Sequence, residues 1–324
     1  YFVYFNQSNN FFHGIMFHHF HDHGIHTKSQ GSIDKDDFYK MINFIGKNNI
    51  LDANIFFEKL KNKQLKGKEV CLTFDDGIKA QIDVALPVLE ELKIKSFFFV
   101  YTSMFEGKPD NLEFFRYFRM NFFNSVDEFY DKFYEILDKD LKSFFENNND
   151  IIKKKKIKSP HYSISDIKFR LVRDNFLTKS QYEKTMFLMF KEKQFNHKDF
   201  SKKLFFQKDD LKRLDNLGHL VGLHSHNNPT LLEKLNWDEQ KNEYEKCLSS
   251  ISNILDKPKN EIKYMSHPCG SYNNDTLKIL KELGVELGFK QIMTIEPEKG
   301  MKKLNNSFLE IARQNHSAIF KKMN

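Results

Sequence analysis

One stretch of this sequence decides the fold, Glu69-Val70-Cys71-Leu72-Thr73-Phe74-Asp75-Asp76-Gly77. Its apolar part predicts a buried strand, and two carboxylates and a glycine follow at the end of that strand. A turn beginning at Gly77 lets the side chains of Asp75 and Asp76 converge on one point, although side chains alternate along a strand. Two like charges at the mouth of a buried strand indicate a shared cation. The alternative is a pair of N-cap residues that opens the following helix, since Asp is favoured there.

The composition predicts a globular protein with a substantial core. The 324 residues are enough for one large α/β domain or two ordinary ones, and hydrophobic residues make up 40% of them. The formal net charge is +7, but 44 acidic residues give a mixed surface with only a mild basic excess. This balance fits an anionic or phosphorylated ligand, and we expect no nucleic-acid partner.

Cysteine usage and hydropathy bear on the compartment. Three cysteines, Cys71, Cys247 and Cys269, give no disulfide framework. The apolar stretch at residues 1–5 is brief and has no basic region, so it does not resemble a signal peptide, and no run approaches transmembrane length. These features favour a reducing, cytoplasmic setting, with a removed signal sequence as the alternative.

Strand and helix patterns alternate along most of the chain, which predicts a parallel sheet or barrel. The predicted strands cover 14–20, 69–74, 96–101, 218–224, 261–265, 285–289 and 308–312. The predicted helices cover 34–45, 79–93, 208–217, 237–255 and 274–283.

The pattern changes between residues 106 and 203. Lys, Asn, Asp and Phe dominate there, and the apolar residues recur at helical intervals, which predicts a mostly helical insertion within a single domain covering 1–324. We expect an exposed loop around 147–160. Its lysine run, Lys153–Lys156, is typical of a solvated loop and less often of a docking patch for phosphate or lipid head groups.

Polar clusters follow four of the predicted strands. They are His18-His19, Asp75-Asp76, the segment 224–229 (His-Ser-His-Asn-Asn-Pro) and the segment 266–270 (Ser-His-Pro-Cys-Gly). The carboxyl ends of parallel strands meet at one rim, where active sites form. Carboxylate and imidazole groups together at such a rim predict a divalent metal site, with zinc as the default ion.

With these segments in place, the chain resembles the polysaccharide deacetylase family, also called the NodB-homology domain or carbohydrate esterase family 4. The resemblance covers most of the chain outside the insertion. Residues 72–77 match the family's first motif completely, and 222–231 match its second, in which His-Ser/Thr-x-x-His-Pro is expected. The weaker matches are 268–273 to the third motif, Met16-Phe17-His18 with Asp22 to the Met-Tyr-His opening of the subgroup whose barrel begins one strand early, and 309–313 to that subgroup's closing strand.

The resemblance implies a distorted (β/α) barrel of about seven parallel strands and a metal-assisted hydrolysis of an acetamide. It implies that Asp75 is the general base and His18 the acid that protonates the leaving amine. Three residues take the positions of the metal ligands: Asp76, His224 and Asn228. Three more are candidates on the substrate or oxyanion side: Cys269 through its backbone N–H, Tyr272 by stacking on a sugar, and Arg313 as a charge beside Asp75.

Several positions depart from the family pattern. Asn228 stands where the family has His, and a neutral amide oxygen is a weaker donor for zinc than imidazole, so selectivity is expected to move towards oxygen-loving metals. His226 is the substitute ligand, but a spacing of two points it away from His224. The family's Arg before the third motif is replaced by Ser266 or His267. The closing Leu-His motif is absent, and this leaves His316 as a reserve acid.

The leading hypothesis is therefore an amide hydrolase that removes an N-acetyl group from an amino sugar of a surface polysaccharide or of its precursor. The expected partners are an N-acetylated sugar or glycan and, through the lysine-rich insertion, a lipid- or phosphate-linked carrier. The alternative is a catalytically impaired glycan-binding or partner protein on the same barrel, which Asn228 and the missing Arg favour. Hydrolysis of another linear amide is a third reading.

Overall fold

Seven strands form one parallel sheet in a computed structural model, which describes residues 11–158 and 162–323. The strands are β1 (His13–Phe17), β2 (Val70–Phe74), β3 (Phe97–Val100), β4 (Leu220–Leu223), β5 (Tyr264–Ser266), β6 (Leu287–Phe289) and β7 (Arg313–Asn315). Their order in the sheet is β6-β5-β4-β3-β2-β1-β7, and all neighbouring pairs are parallel. The apolar stretch at residues 1–5 lies outside the described residues.

The sheet curls into a nearly closed barrel. The rings of Phe97 on β3 and Phe289 on β6 lie 5.4 Å apart, although two strands separate β3 from β6 in the sheet. A parallel bridge joins Phe289 to Ile311, just before β7, so the two edges of the sheet approach each other. Every residue of β2 and β3 is buried, as expected for parallel strands that are covered on both faces. The predicted distorted (β/α) barrel of seven parallel strands is confirmed.

Helices follow most of the strands. Those outside the insertion are α1 (Lys35–Ile45), α2 (Ala53–Lys61), α3 (Leu86–Leu92), α11 (Lys208–Asn216), α12 (Trp237–Leu255), α13 (Asn274–Glu282) and α14 (His316–Met323). Those between β3 and α11 are α4 (Asn111–Asn121), α5 (Val126–Leu137), α6 (Lys142–Asn147), α7 (Asn149–Lys158), α8 (Ile164–Leu171), α9 (Lys179–Glu192) and α10 (Ser201–Leu204). None of the helices among the described residues has the length and apolar character needed to cross a bilayer.

Two predicted strands have different limits in the structure. The first ends at Phe17 and not at residue 20, because the chain leaves the sheet at His18, whose carbonyl oxygen accepts a hydrogen bond from the Gln81 side chain. The closing strand, predicted at 308–312, is β7 at Arg313–Asn315. In the predicted range only Ile311 forms a bridge, and the Ala312 N–H donates to the Asn305 side chain instead of to a strand.

The residues between 111 and 201 form a compact unit of their own, within the predicted insertion 106–203, and the rest of the chain forms the other unit. Its core is aromatic: the Phe118 ring lies 4.6 Å from that of Phe190 and 5.4 Å from that of Phe195. The prediction of an exposed loop at 147–160 is wrong for the residues of that range that the structure describes. Residues 149–158 form α7, since Ile152 packs against Ile167 and Leu171 of α8 and so gives the lysine-rich segment a helical anchor.

Candidate functional site

The carboxylate pair lies in a tight turn directly after β2. Asp76 and Gly77 both have left-handed backbone conformations, with φ of 73° and 61°. The turn brings the two carboxylates together beside one imidazole. The His18 Nε2 atom lies 3.9 Å from Asp75 Oδ2 and 3.8 Å from Asp76 Oδ2. The N-cap alternative is wrong: the helical segment that follows has Ala80 at its N-cap, without a side-chain cap.

Asp75 is held by a buried arginine from the far end of the chain. Arg313 donates two hydrogen bonds of 2.7 Å, one to each oxygen of Asp75, and the side chains are only 1% and 2% exposed. The Ser266 hydroxyl donates to Asp75 Oδ1 at 3.1 Å. Burial by itself raises the pKa of Asp75, but the Arg313 and His224 charges outweigh it and the pKa is lowered. Arg313 thus supplies the charge that the third motif lacks. Its place beside Asp75 is the one expected of a compensating charge, and its burial corrects its grouping with the residues on the substrate or oxyanion side.

Asp76, His224 and Asn228 approach one another at a single point. The Asp76 Oδ1 atom lies 3.3 Å from His224 Nε2 and 3.3 Å from Asn228 Nδ2. Burial raises the pKa of Asp76, but hydrogen bonding from His224 and the charge of His18 lower it to about 2. Asp76 is therefore ionised at neutral pH and 26% exposed, which suits a carboxylate that shares a cation.

The ring of His224 has a fixed orientation. Its Nδ1 atom lies 3.0 Å from the Ser266 carbonyl oxygen and 2.6 Å from the Ser266 hydroxyl, so the ring directs Nε2 at Asp76. Burial lowers the pKa of His224, but the charges of Asp75 and Asp76 overcome this and raise it. An Nδ1–H that donates to a backbone carbonyl leaves the Nε2 lone pair for a metal.

The loop that contains these ligands is fixed by a buried acid on α12. Glu243 accepts hydrogen bonds from the backbone N–H of His226 (3.0 Å), the backbone N–H of Asn227 (2.7 Å) and the Asn227 side chain (2.6 Å). His226 is turned away from the cation point: its Nδ1 lies 2.9 Å from the Thr102 hydroxyl. Sequence reasoning did not identify Glu243. The signal available for it was an acidic residue among the buried positions of α12.

Gln81 is a second residue that sequence reasoning missed. Its side-chain N–H groups donate to the carbonyl oxygens of His18 at 2.9 Å and Asp75 at 2.7 Å, and the residue is 0% exposed. One carboxamide thereby joins the two segments that present the candidate acid and base. It lies in a π-helical segment, Gln81–Ala85, and such segments occur often at functional sites. Its signal in the sequence was a lone amide among apolar residues.

The third motif borders the site only in part. Cys269 has a left-handed backbone (φ 51°) and is exposed. Desolvation raises the pKa of its thiol to about 12, and the negative charges of Asp76, Asp110 and Asp75 add to the shift.

The prediction that Tyr272 stacks on a sugar is wrong. Its ring is 1% exposed and stacked on His267 at 4.1 Å, and its hydroxyl donates to Glu310. The reserve acid His316 is also excluded, because its ring is buried and stacked on Phe17, with Nε2 2.9 Å from the Gly31 carbonyl oxygen.

The side chains of Asp76, His224 and Asn228 fit a divalent cation, although a carboxamide as the third donor is unusual. Within residues 11–158 and 162–323, no group of three or more His, Cys, Asp or Glu side chains is arranged to hold a metal ion. Asp76 and His224 supply two such donors, and the third position is the carboxamide of Asn228. The Asn228 Oδ1 atom is buried and has no hydrogen-bond partner among the residues that the structure describes. An orphaned acceptor beside a carboxylate and an imidazole is the feature expected where a cation completes the contacts.

Comparisons with known proteins point in one direction. The family model described as polysaccharide deacetylase matches residues 62–162 and 173–288. No curated protein sequence matches this chain. Similar solved structures include the deacetylase PplD of Streptococcus pyogenes in complex with acetate, at 15% identity and a TM-score of 0.55 over 97% of this chain and 98% of that one. IcaB from Ammonifex degensii gives 13% identity and a TM-score of 0.54, covering 97% and 96%. The deacetylase domain of BpsB from Bordetella bronchiseptica gives 13% and 0.50, covering 94% and 95%.

Proposed function

The chain belongs to the polysaccharide deacetylase family, and from this premise we propose that it is a metal-dependent hydrolase that removes an N-acetyl group from an amino sugar of a surface polysaccharide or of its precursor. The observation that carries the proposal is the convergence of Asp76, His224 and Asn228 beside an Asp75 that is clamped by Arg313. Family membership supports the amide hydrolysis. The metal and the substrate class are the proposed part.

Asp76, His224 and Asn228 would hold the metal. A divalent ion bound there supplies a Lewis acid for the acetamide carbonyl and lowers the pKa of water towards roughly 7. Because a half-turn of a carboxamide exchanges its oxygen and nitrogen, Asn228 can present Oδ1 in place of the Nδ2 that now donates to Asp76. The oxygen-rich donor set widens the choice beyond zinc to Mn²⁺ or Co²⁺.

Two residues of the chain carry out the two proton transfers of the proposed reaction, one from the attacking water and one to the leaving amine. Asp75 is ionised and held in one orientation by Arg313 and Ser266, so it accepts the proton of the attacking water. His18, whose side chain is 20% exposed, faces the same point from the carboxyl end of the neighbouring parallel strand β1 and donates to the leaving amine. We expect the backbone N–H of Cys269, which belongs to the turn at 268–270, to stabilise the developing oxyanion.

The test is acetate release by wild type and Asp75→Asn from a panel of N-acetylated oligosaccharides and nucleotide sugars, with metal content measured on both proteins. We expect near-stoichiometric metal in both and turnover reduced by at least about a thousandfold in the variant. Asp36→Asn, an exposed acid on α1, is the matched control and should retain full activity. Turnover that persists in Asp75→Asn would exclude Asp75 as the base.

A second function has one observation in its favour, the carboxamide in the third donor position. On that reading the barrel binds a glycan without hydrolysing it. A purified protein that takes up no metal, releases no acetate and still retains an N-acetylated glycan would establish this reading in place of the first.

A further inference from the structure

An open groove lies on the surface of the unit formed by residues 111–201. Its volume is about 630 Å³, and its apolar lining comes from Phe145, Ile152, Ile157 and Ile164. Three lysines line it as well: Lys153, Lys156 and Lys168. We call these seven residues, together with the flanking Ile151, Lys154 and Lys155, the Ile/Lys surface. It belongs to α6, α7 and α8 and plays no part in the chemistry described above.

The apolar side chains of this surface face water to an unusual degree. Ile157 is 80% exposed, Ile164 54% and Ile151 43%. Ile157 is the most exposed of the large hydrophobic residues that the described part of the chain leaves in water. Isolated exposed isoleucines are ordinary, but Ile157 and Ile164 line one groove and form a patch of the kind that marks an interaction site.

Lysines line the groove and continue along α7. Lys153, Lys154 and Lys155 are exposed on α7, whose ten residues include five lysines and one aspartate. The Lys168 ammonium lies 5.0 Å from the centre of the Phe145 ring, and both residues line the groove. Glu146 is the only acid among the groove's lining residues.

We propose that the Ile/Lys surface docks this chain onto the surface of an anionic lipid bilayer. The exposed isoleucines enter the boundary between head groups and acyl chains, and the lysines contact the lipid phosphates. The combination selects this occupant: a nucleic acid would use the lysines but offer nothing to three isoleucines, and an apolar peptide would use the isoleucines but not the lysines. The inference does not depend on the proposed reaction.

The test is co-sedimentation of the full chain with vesicles of phosphatidylcholine alone and with vesicles containing 30% phosphatidylglycerol, at low and high salt. We expect binding only to the anionic vesicles, at least tenfold weaker at 0.5 M salt, because surface charges are then screened. Equal binding to both vesicle types, or none to either, would overturn the proposal. Retention on a homopolymeric RNA without vesicle binding would also overturn it and point to a polyanion partner.

Two variants separate the charged and apolar contributions. Lys153→Gln with Lys154→Gln and Lys155→Gln removes three charges and keeps good helix formers, and Ile157→Asp removes the most exposed isoleucine. Each should weaken binding to the anionic vesicles at least tenfold without changing the helical content measured by circular dichroism.

The matched controls lie in the other unit. Lys302→Gln with Lys303→Gln and Lys321→Gln removes three exposed charges, and Ile295→Asp alters an isoleucine that is 43% exposed. Both should bind the vesicles as wild type does. If Ile157→Asp also binds as wild type does, the isoleucines take no part and the docking mode is refuted.

Discussion

The buried pair of Asp75 and Arg313 offers a quantitative test of the site's construction. Both side chains are almost completely excluded from water and share two hydrogen bonds of 2.7 Å. Replacing Arg313 with Met leaves a carboxylate buried without its main partner, and such a change costs about 3–5 kcal/mol. Replacing Asp75 with Asn strands the guanidinium and has a cost of similar size. The double variant removes both charges, so its loss should be no more than about 1–2 kcal/mol.

The measurement is urea unfolding of the metal-free protein in the presence of a chelator, followed by tryptophan fluorescence. The chain has one tryptophan, Trp237 on α12, so the signal reports the barrel and not the helical unit of residues 111–201. Arg213→Met is the control, because Arg213 pairs with Glu90 on the surface and should contribute less than about 1 kcal/mol. A double variant that loses as much as the two single variants added together would refute the reasoning, since the two charges would then act independently.

Three further outcomes are expected. Asn228→His should tighten zinc binding at least tenfold, about 1.4 kcal/mol, in a competition with a chromogenic chelator, and unchanged affinity would put the third donor elsewhere. Glu243→Gln should lower the free energy of unfolding by about 1–3 kcal/mol and weaken metal binding, whereas Glu245→Gln, exposed on the same helix, should do neither. Burial lowers the pKa of three histidines from 6.5, to about 4 for His13, about 4 for His219 and about 3 for His267. Because each binds a proton more readily when unfolded, stability should fall below pH 6.5 by up to about 1.4 kcal/mol per pH unit for each, and His219→Asn should reduce the slope by up to that amount; a slope unchanged in this variant would contradict the assignment.

The sequence predicted the parts of the fold and site that depend on local patterns. Continuous apolar runs such as residues 97–100 mark strands that are covered on both faces, and polar clusters at the ends of parallel strands must meet at one rim. This reasoning found Asp75, Asp76, His224 and His18, and the structure places His18 within 4 Å of both carboxylates and His224 within 4 Å of Asp76.

The remaining features of the fold and of the site depend on tertiary packing, which the spacing of residues along the sequence does not reveal. Tyr272 was expected at the substrate because it lies in the segment that resembles the third motif, but the direction of its side chain is set by the His267 ring and by Glu310. The lysine-rich segment was predicted as a loop from its composition, yet the packing of Ile152 onto α8 stabilises a helix there. Gln81 and Glu243 act through backbone groups distant in sequence, which no periodicity indicates.

The clamp on Asp75 also has a consequence for biosynthesis. Asp75 precedes Arg313, the arginine that neutralises it, by 238 residues in the chain, so the ribosome makes the carboxylate first. Throughout that interval an ionised carboxylate cannot enter a dry interior without a large penalty, so the nascent barrel must keep that rim open to water. Closure therefore waits for the final strand, and translation that stops before residue 313 yields a chain whose half-built rim is a target for chaperones and proteases.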